Sequence, residues 1–278
     1  MSDSDLEFLL NKVKQGDVAS FYDLATYYQN KGIGNTAFNY AYQGARRYHP
    51  ACERKLAYYY EKGIGTSIDY DMAIHYYKLA IDHGDVPSIT NLGLMYYRGI
   101  GVKKDVNEAF RLISLAADRS NLNAISALAR LYHFGIGCIK DDTKYFELLN
   151  KAKELGAKNV SRLLGLCYYN GIGVDVNYDL AFKYFLEGSD EGDGECFYYL
   201  GVMSTAGEGC KKDYTRALYY YQQGARYNDS RSMFNLSLFY ENGVYVPKDL
   251  QQANYWLEMS SNLGLEKAIE KLNKSKNN

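Results

Sequence analysis

A leucine, a small residue and a tyrosine recur together along the chain. Leu56, Leu92, Leu128, Leu164, Leu200 and Leu236 are followed at once by Ala57, Gly93, Ala129, Gly165, Gly201 and Ser237. Four residues after each leucine come Tyr60, Tyr96, Tyr132, Tyr168 and Tyr240, with Ser204 as the exception. Positions i and i+4 share a helix face, so each unit opens with a helix, called helix A, whose apolar stripe carries the leucine and the tyrosine. Glycine pairs follow at Gly32/Gly34, Gly63/Gly65, Gly99/Gly101, Gly135/Gly137, Gly171/Gly173 and Gly207/Gly209, and Gly243 begins a seventh loop that has Tyr245 where the second glycine would be.

A polar column then precedes a second apolar stripe. Asp69, Asp105, Asp141, Asn177, Asp213 and Asp249 suit a helix N-cap, and "DVNE" (Asp105 to Glu108) offers a reciprocal capping box. Helix B begins with Ala73, Ala109, Ala181, Ala217 and Ala253, where Tyr145 departs from the column in the fourth unit. It continues through pairs such as Tyr76/Tyr77, Tyr184/Phe185, Tyr220/Tyr221 and Trp256/Leu257, and closes on Ala80, Ala116, Ala152, Gly188, Gly224 and Ser260. Gly84, Gly156, Gly192 and Gly264 suit the left-handed residue that ends many helices.

Two such helices cannot bury their own stripes, whereas stacked neighbours can. The pattern therefore predicts an all-α protein, a right-handed α/α superhelical solenoid of about seven helical hairpins. The repeats fall at 17–48, 49–84, 85–120, 121–156, 157–192, 193–228 and 229–264, the first one shortened in its loop. Residues 1–16 read as an N-terminal capping helix and 265–278 as a C-terminal one, with 1–278 as a single array.

The motif L-(A/G)-x-x-Y-x-x-G-x-G, followed by Asp, Ala and paired aromatics, resembles the Sel-1-like repeat (SLR) family, relatives of the tetratricopeptide repeat, over nearly the whole chain. The ordinary tetratricopeptide unit has about 34 residues and lacks this loop. The resemblance implies a non-catalytic adaptor or scaffold that holds other proteins, with no cofactor and no metal.

Charge and composition narrow the partner. The 278 residues carry a net charge of -1, so no global attraction to nucleic acid or anionic membrane is expected. No stretch approaches the roughly 20 apolar residues of a membrane span. The acidic start "MSDSDLEFLL" does not read as a secretory signal. The cytoplasm is the expected location, with specialised export into a host left open, and a monomer is expected.

Isolated chemical motifs dissolve into the repeat. "YYRGIGVKKD" (Tyr96 to Asp105) looks like a phosphate cradle, but it follows a helix rather than a strand, and its counterpart at Gly207 places Glu208 between the glycines. His49, His75, His83 and His133 lack the spacing of a helical zinc site. Cys52, Cys138, Cys167, Cys196 and Cys210 fill repeat columns used elsewhere by other small or medium residues, which predicts packing rather than chemistry. One cysteine-rich branch of the resembled family is linked to β-lactam binding and hydrolysis, but this chain lacks that branch's paired cysteines and any Ser-x-x-Lys stretch. An RNA-binding helical repeat would favour a basic groove. Both remain as alternatives.

Taking helix A as the lining of the inner face, as in tetratricopeptide arrays, the inward positions lie two before, two after and five after each leucine. They hold Tyr22, Arg54, Tyr58, Glu61, Thr90, Leu94, Tyr97, Arg130, His133, Arg162, Leu166, Tyr169, Tyr198, Phe234 and Glu241. Aromatics and arginines are the commonest interface anchors. The expectation is that Arg54, Arg130 and Arg162 hold acidic groups of a peptide or protein partner while Tyr58, Tyr97 and Tyr169 cover its apolar part.

Overall fold

The computed structural model describes residues 3–276 and contains sixteen α-helices among the described residues. They form two compact units, Met1–Asp141 and Asp142–Asn278. The first holds α1 (Asp3–Lys14), α2 (Ala19–Asn30), α3 (Gly34–Ala45), α4 (Pro50–Lys62), α5 (Tyr70–Asp82), α6 (Val86–Arg98), α7 (Val106–Asp118) and α8 (Leu122–Phe134). The second holds α9 (Asp142–Glu154), α10 (Ser161–Asn170), α11 (Tyr178–Asp190), α12 (Glu195–Ala206), α13 (Tyr214–Arg226), α14 (Ser230–Asn242), α15 (Leu250–Asn262) and α16 (Glu266–Lys276).

Helices A are thus α2, α4, α6, α8, α10, α12 and α14, and the chain forms the expected paired hairpins. Within each unit a helix packs on its neighbours in sequence, and α2 reaches α4, α6 reaches α8 and α12 reaches α14. The small residue after each leucine permits close approach of helix B. A Cβ on Gly93 would lie 2.9 Å from Ile113, and one on Gly165 would lie 2.7 Å from the Phe185 ring.

The leucine column is buried throughout, from Leu56 to Leu236. The deepest partner column lies three residues on rather than four: Tyr59, Met95, Leu131, Cys167, Met203 and Phe239 are all buried. The tyrosines at i+4 are half-buried, and two of them stack on helix B, Tyr60 on Tyr76 at 5.9 Å and Tyr168 on Tyr184 at 5.6 Å.

The loops are structural on both sides. The first glycine ends helix A in the left-handed region, with φ between 64° at Gly135 and 83° at Gly207. The second glycine abuts the start of helix B in the preceding repeat, since a Cβ on Gly137 would collide with the Val106 carbonyl and one on Gly209 with that of Tyr178. In the seventh loop Tyr245 adopts φ 55° and lays its ring on Tyr214 at 5.2 Å, so an aromatic contact replaces the close approach. In the shortened first loop Gly34 opens α3 directly, against Gly65.

The caps at Asp69, Asp105, Asn177, Asp213 and Asp249 each accept a backbone N–H of helix B. The capping box at Asp105 is only half formed. Asp105 accepts from Asn107 and Glu108 at 3.0 Å, but its own N–H donates to the Tyr96 carbonyl, and Glu108 turns to a two-pronged pair with Arg111 at 2.8 Å. That pair holds the Glu108 carboxyl below its usual range.

Candidate partner-binding face

The three inward columns of helix A have different fates. The column two before the leucine joins successive repeats. Arg54 Nε lies 3.1 Å from Oδ2 of Asp85, the residue that caps α6. Thr90 is buried, and its hydroxyl donates to Oδ1 of Asn121, the cap of α8, at 3.2 Å. Arg162 Nε donates to Oδ2 of Asp193 at 2.7 Å, with Glu195 at 3.7 Å from its Nη1. Tyr198 lies under the Arg231 guanidinium at 4.5 Å, and Tyr22 receives Lys55 at 4.8 Å and Arg54 at 5.9 Å. Phe234 is half-buried. Arg54 and Arg162 are therefore already held by acids of their own chain, and the expected role for them as receivers of a partner's acids does not fit their geometry.

The other two columns shape hollows. Tyr58, Glu61, Lys62, Tyr77, Asn91, Leu94, Met95, Arg98 and Ile100 line a hollow of about 160 Å³ between α4 and α6. Leu94, Tyr97, Arg98, Ile113, Ala127, Arg130, Leu131, Phe134 and Ile136 line one of about 100 Å³ between α6 and α8. Each residue of the second stands one repeat after its counterpart in the first, so the two are one architectural feature with different contents. Both lie in the Met1–Asp141 unit and share Leu94 and Arg98.

A helix-B residue and two helix-A residues set those contents. In the first hollow the Tyr77 hydroxyl donates to Glu61 Oε2 at 2.9 Å and also meets Asn91, and burial and then Glu61 push that hydroxyl's pKa up. In the second the same places hold Ile113, Tyr97 and Ala127, so the Tyr77 hydroxyl has no counterpart at Ile113. In the Asp142–Asn278 unit they hold Phe185, Tyr169 and Tyr199. There Tyr199 stacks on Phe185 at 4.7 Å, and the Tyr169 hydroxyl donates to Glu208 Oε2 at 3.0 Å. Burial first, then Glu208, push the Tyr169 hydroxyl up to about 12. One repeat further, Tyr221 meets Thr205 and Asn235, with its hydroxyl raised to about 12 by burial.

Of the expected site residues, Tyr58, Glu61, Leu94, Tyr97 and Arg130 come together around these hollows. Tyr22 and Arg54 sit together elsewhere in that unit, while Arg162, Leu166, Tyr169, Tyr198 and Phe234 belong to the other. His133 lines neither hollow and sets its ring against Phe134 at 4.8 Å. Glu241, in the second unit, pairs with Lys271 at 2.6 Å.

Six residues of the second hollow escaped the sequence reading: Arg98, Ile113, Ala127, Leu131, Phe134 and Ile136. Phe134 is 64% exposed in a column otherwise filled by Lys62, Arg98, Asn170, Ala206 and Asn242, which is the signal that could have found it.

A family model described as Sel1 repeat matches residues 50–85, 86–121, 122–156, 162–193, 196–228 and 230–265, most of the chain. The chain belongs to the Sel1 repeat family. The six matched repeats of this Sel1 repeat protein coincide, within a few residues at their ends, with the second to seventh read from its columns. It is similar to a protective antigen of uropathogenic Escherichia coli displaying an SLR fold, with a TM-score of 0.83 and 27% identity over 95% of this chain. It spans 57% of that antigen's length. It is also similar to a Sel1 repeat protein from Oxalobacter formigenes, with a TM-score of 0.72 and 27% identity over 86% of this chain and 96% of the other. No curated protein matches it. No helix among the described residues is long and apolar enough to cross a membrane.

Proposed function

We propose that this Sel1 repeat protein is a non-catalytic adaptor that receives a segment of a partner protein along the helix-A face of its Met1–Asp141 unit. One observation carries the reading: a hollow between α6 and α8, walled by Leu94, Ile113, Leu131, Phe134 and Ile136 and rimmed by the exposed Arg98 and Arg130. Concave apolar sites with a few placed polar groups are where ligands bind, and exposed aromatics beside arginine supply the anchors of protein interfaces. A protein rather than a nucleic acid is favoured by the net charge of -1.

The test is affinity capture from an extract of the source cell with wild type and with a Tyr97→Ala/Arg130→Ala variant shown by circular dichroism to be folded. The variant is expected to lose the partners that the wild type retains. Equal capture by both sinks the reading.

A further inference from the structure

We infer that the hollow between α6 and α8 takes one aliphatic side chain of a partner peptide, and that Arg98 and Arg130 hold the carboxylate of an Asp or Glu beside it. The inference rests on the adaptor reading above and narrows it to a ligand class.

The apolar half follows from what the hollow lacks. Ile113, Leu131 and Ile136 line it, and Ile113 stands where the hollow one repeat earlier has the Tyr77 hydroxyl bonded to Glu61. A polar group set against Ile113, Leu131 and Ile136 would leave its hydrogen bonds unmade, whereas an aliphatic one loses none. Ala127 is what leaves the space open. Its column otherwise holds larger residues, Lys55, Asn91, Leu163, Tyr199 and Asn235, and where it holds Tyr199 the ring lies on Phe185. A volume of about 100 Å³ suits one branched aliphatic chain rather than a ring system.

The acidic half follows from charge. Helices A carry five arginines, and Arg54, Arg162 and Arg231 each have an aspartate of this chain within 3.1 Å. Arg98 and Arg130 are exposed and have no ion-pair partner among the described residues. The acid of the adjoining hollow, Glu61, is taken by Lys62 at 2.7 Å and by the Tyr77 hydroxyl. Two guanidinium groups at the rim of one apolar hollow match a carboxylate, which each can grip through paired N–H donors.

The test uses the full chain and three fluorescent Gly/Ser dodecapeptides that carry Asp-Leu, Lys-Leu or Asp-Ala at the centre, read by anisotropy. The Asp-Leu probe is expected to bind about tenfold more tightly than either other probe, a difference of about 1.4 kcal/mol. Ala127→Tyr, which copies Tyr199 and fills the hollow, should abolish that binding, and Arg130→Glu should turn the preference to Lys-Leu. The Arg130 change is on an exposed side chain, so it keeps the test decisive if the filled variant does not fold. Equal binding of Asp-Leu and Lys-Leu, both lost on filling the hollow, overturns the carboxylate and leaves the adaptor reading standing. If no probe distinguishes wild type from either variant, the ligand class falls. If a random dodecapeptide phage library also yields no peptide specific to the unfilled chain, the adaptor reading falls with it.

Discussion

Arg162 donates through Nε to Oδ2 of Asp193 at 2.7 Å, and so ties helix A of one repeat to the start of helix A in the next. Arg54 approaches Asp85 as an ion pair at 3.1 Å, without a hydrogen bond from its Nε, and the Thr90 hydroxyl donates to Asn121, both across the same spacing along the chain. Repeats in a stacked array contact only their neighbours, so interface links of this kind decide whether adjacent repeats hold together. In the column two before the leucine, Arg54, Thr90 and Arg162 thus staple successive repeats.

Arg162→Ala is expected to lower stability by about 1 kcal/mol, because the pair is a close hydrogen-bonded one but partly open to water. Replacing Arg162 and Asp193 together by Thr and Asn, the residues of the Thr90–Asn121 link, should recover part of that loss. Thermal melts of the single and double variants measure it, and strictly additive losses would show that the two residues do not act as a pair.

Glu53 is fully buried in α4, and its two oxygens lie 2.9 and 2.8 Å from Nδ1 of His83. His83→Ala should cost about 3 kcal/mol, since it strands a buried carboxylate. The equivalent places hold Met233 and Leu263 in the last repeat. The double replacement Glu53→Met/His83→Leu should therefore restore most of the stability in urea denaturation, and a double variant as weak as His83→Ala would contradict this account.

The residue that ends helix B is left-handed in every repeat, with glycine at Gly84, Gly156, Gly192 and Gly264 but Tyr48 at φ 59°, Ser120 at φ 58° and Asn228 at φ 59°. Side chains other than glycine lose about 1–2 kcal/mol there. Ser120→Gly should raise the unfolding midpoint by an amount equivalent to about 1 kcal/mol, and Gly84→Ser should lower it by a similar amount. Calorimetry of the two variants reads both signs.

Burial pushes the thiols of Cys52, Cys167 and Cys196 from 9.0 up to about 12. The folded chain keeps these protons where the unfolded chain has lost them. Their contribution is thus whole below about pH 9 and drains away as pH rises through about 12. The urea midpoint should fall between those values, and less so in a Cys52→Ala/Cys167→Ala/Cys196→Ala variant. Iodoacetamide at about pH 8.5, the ordinary thiol range, should modify these residues only after unfolding. A midpoint that stays level with rising pH would contradict the assignment.

The sequence by itself determined the helices, their order, the glycine loops and the caps. Those features are local: the leucine stripe acts over one or two turns, and an aspartate such as Asp69 reaches a backbone N–H only three residues away. The hollow was half legible, since Leu94, Tyr97 and Arg130 followed from their columns while Ala127 looked like any small helix residue. Tertiary structure alone decided which inward residues are free. Arg54 and Arg162, two before their leucines, each meet an aspartate 31 residues on, while Arg130, two after its own, does not, and the residue types alone gave the three one role. Likewise only packing shows that Tyr199 fills a space that Ala127 leaves open. The physical reason is that both outcomes depend on a neighbour one repeat away, whose side chain no local rule can supply.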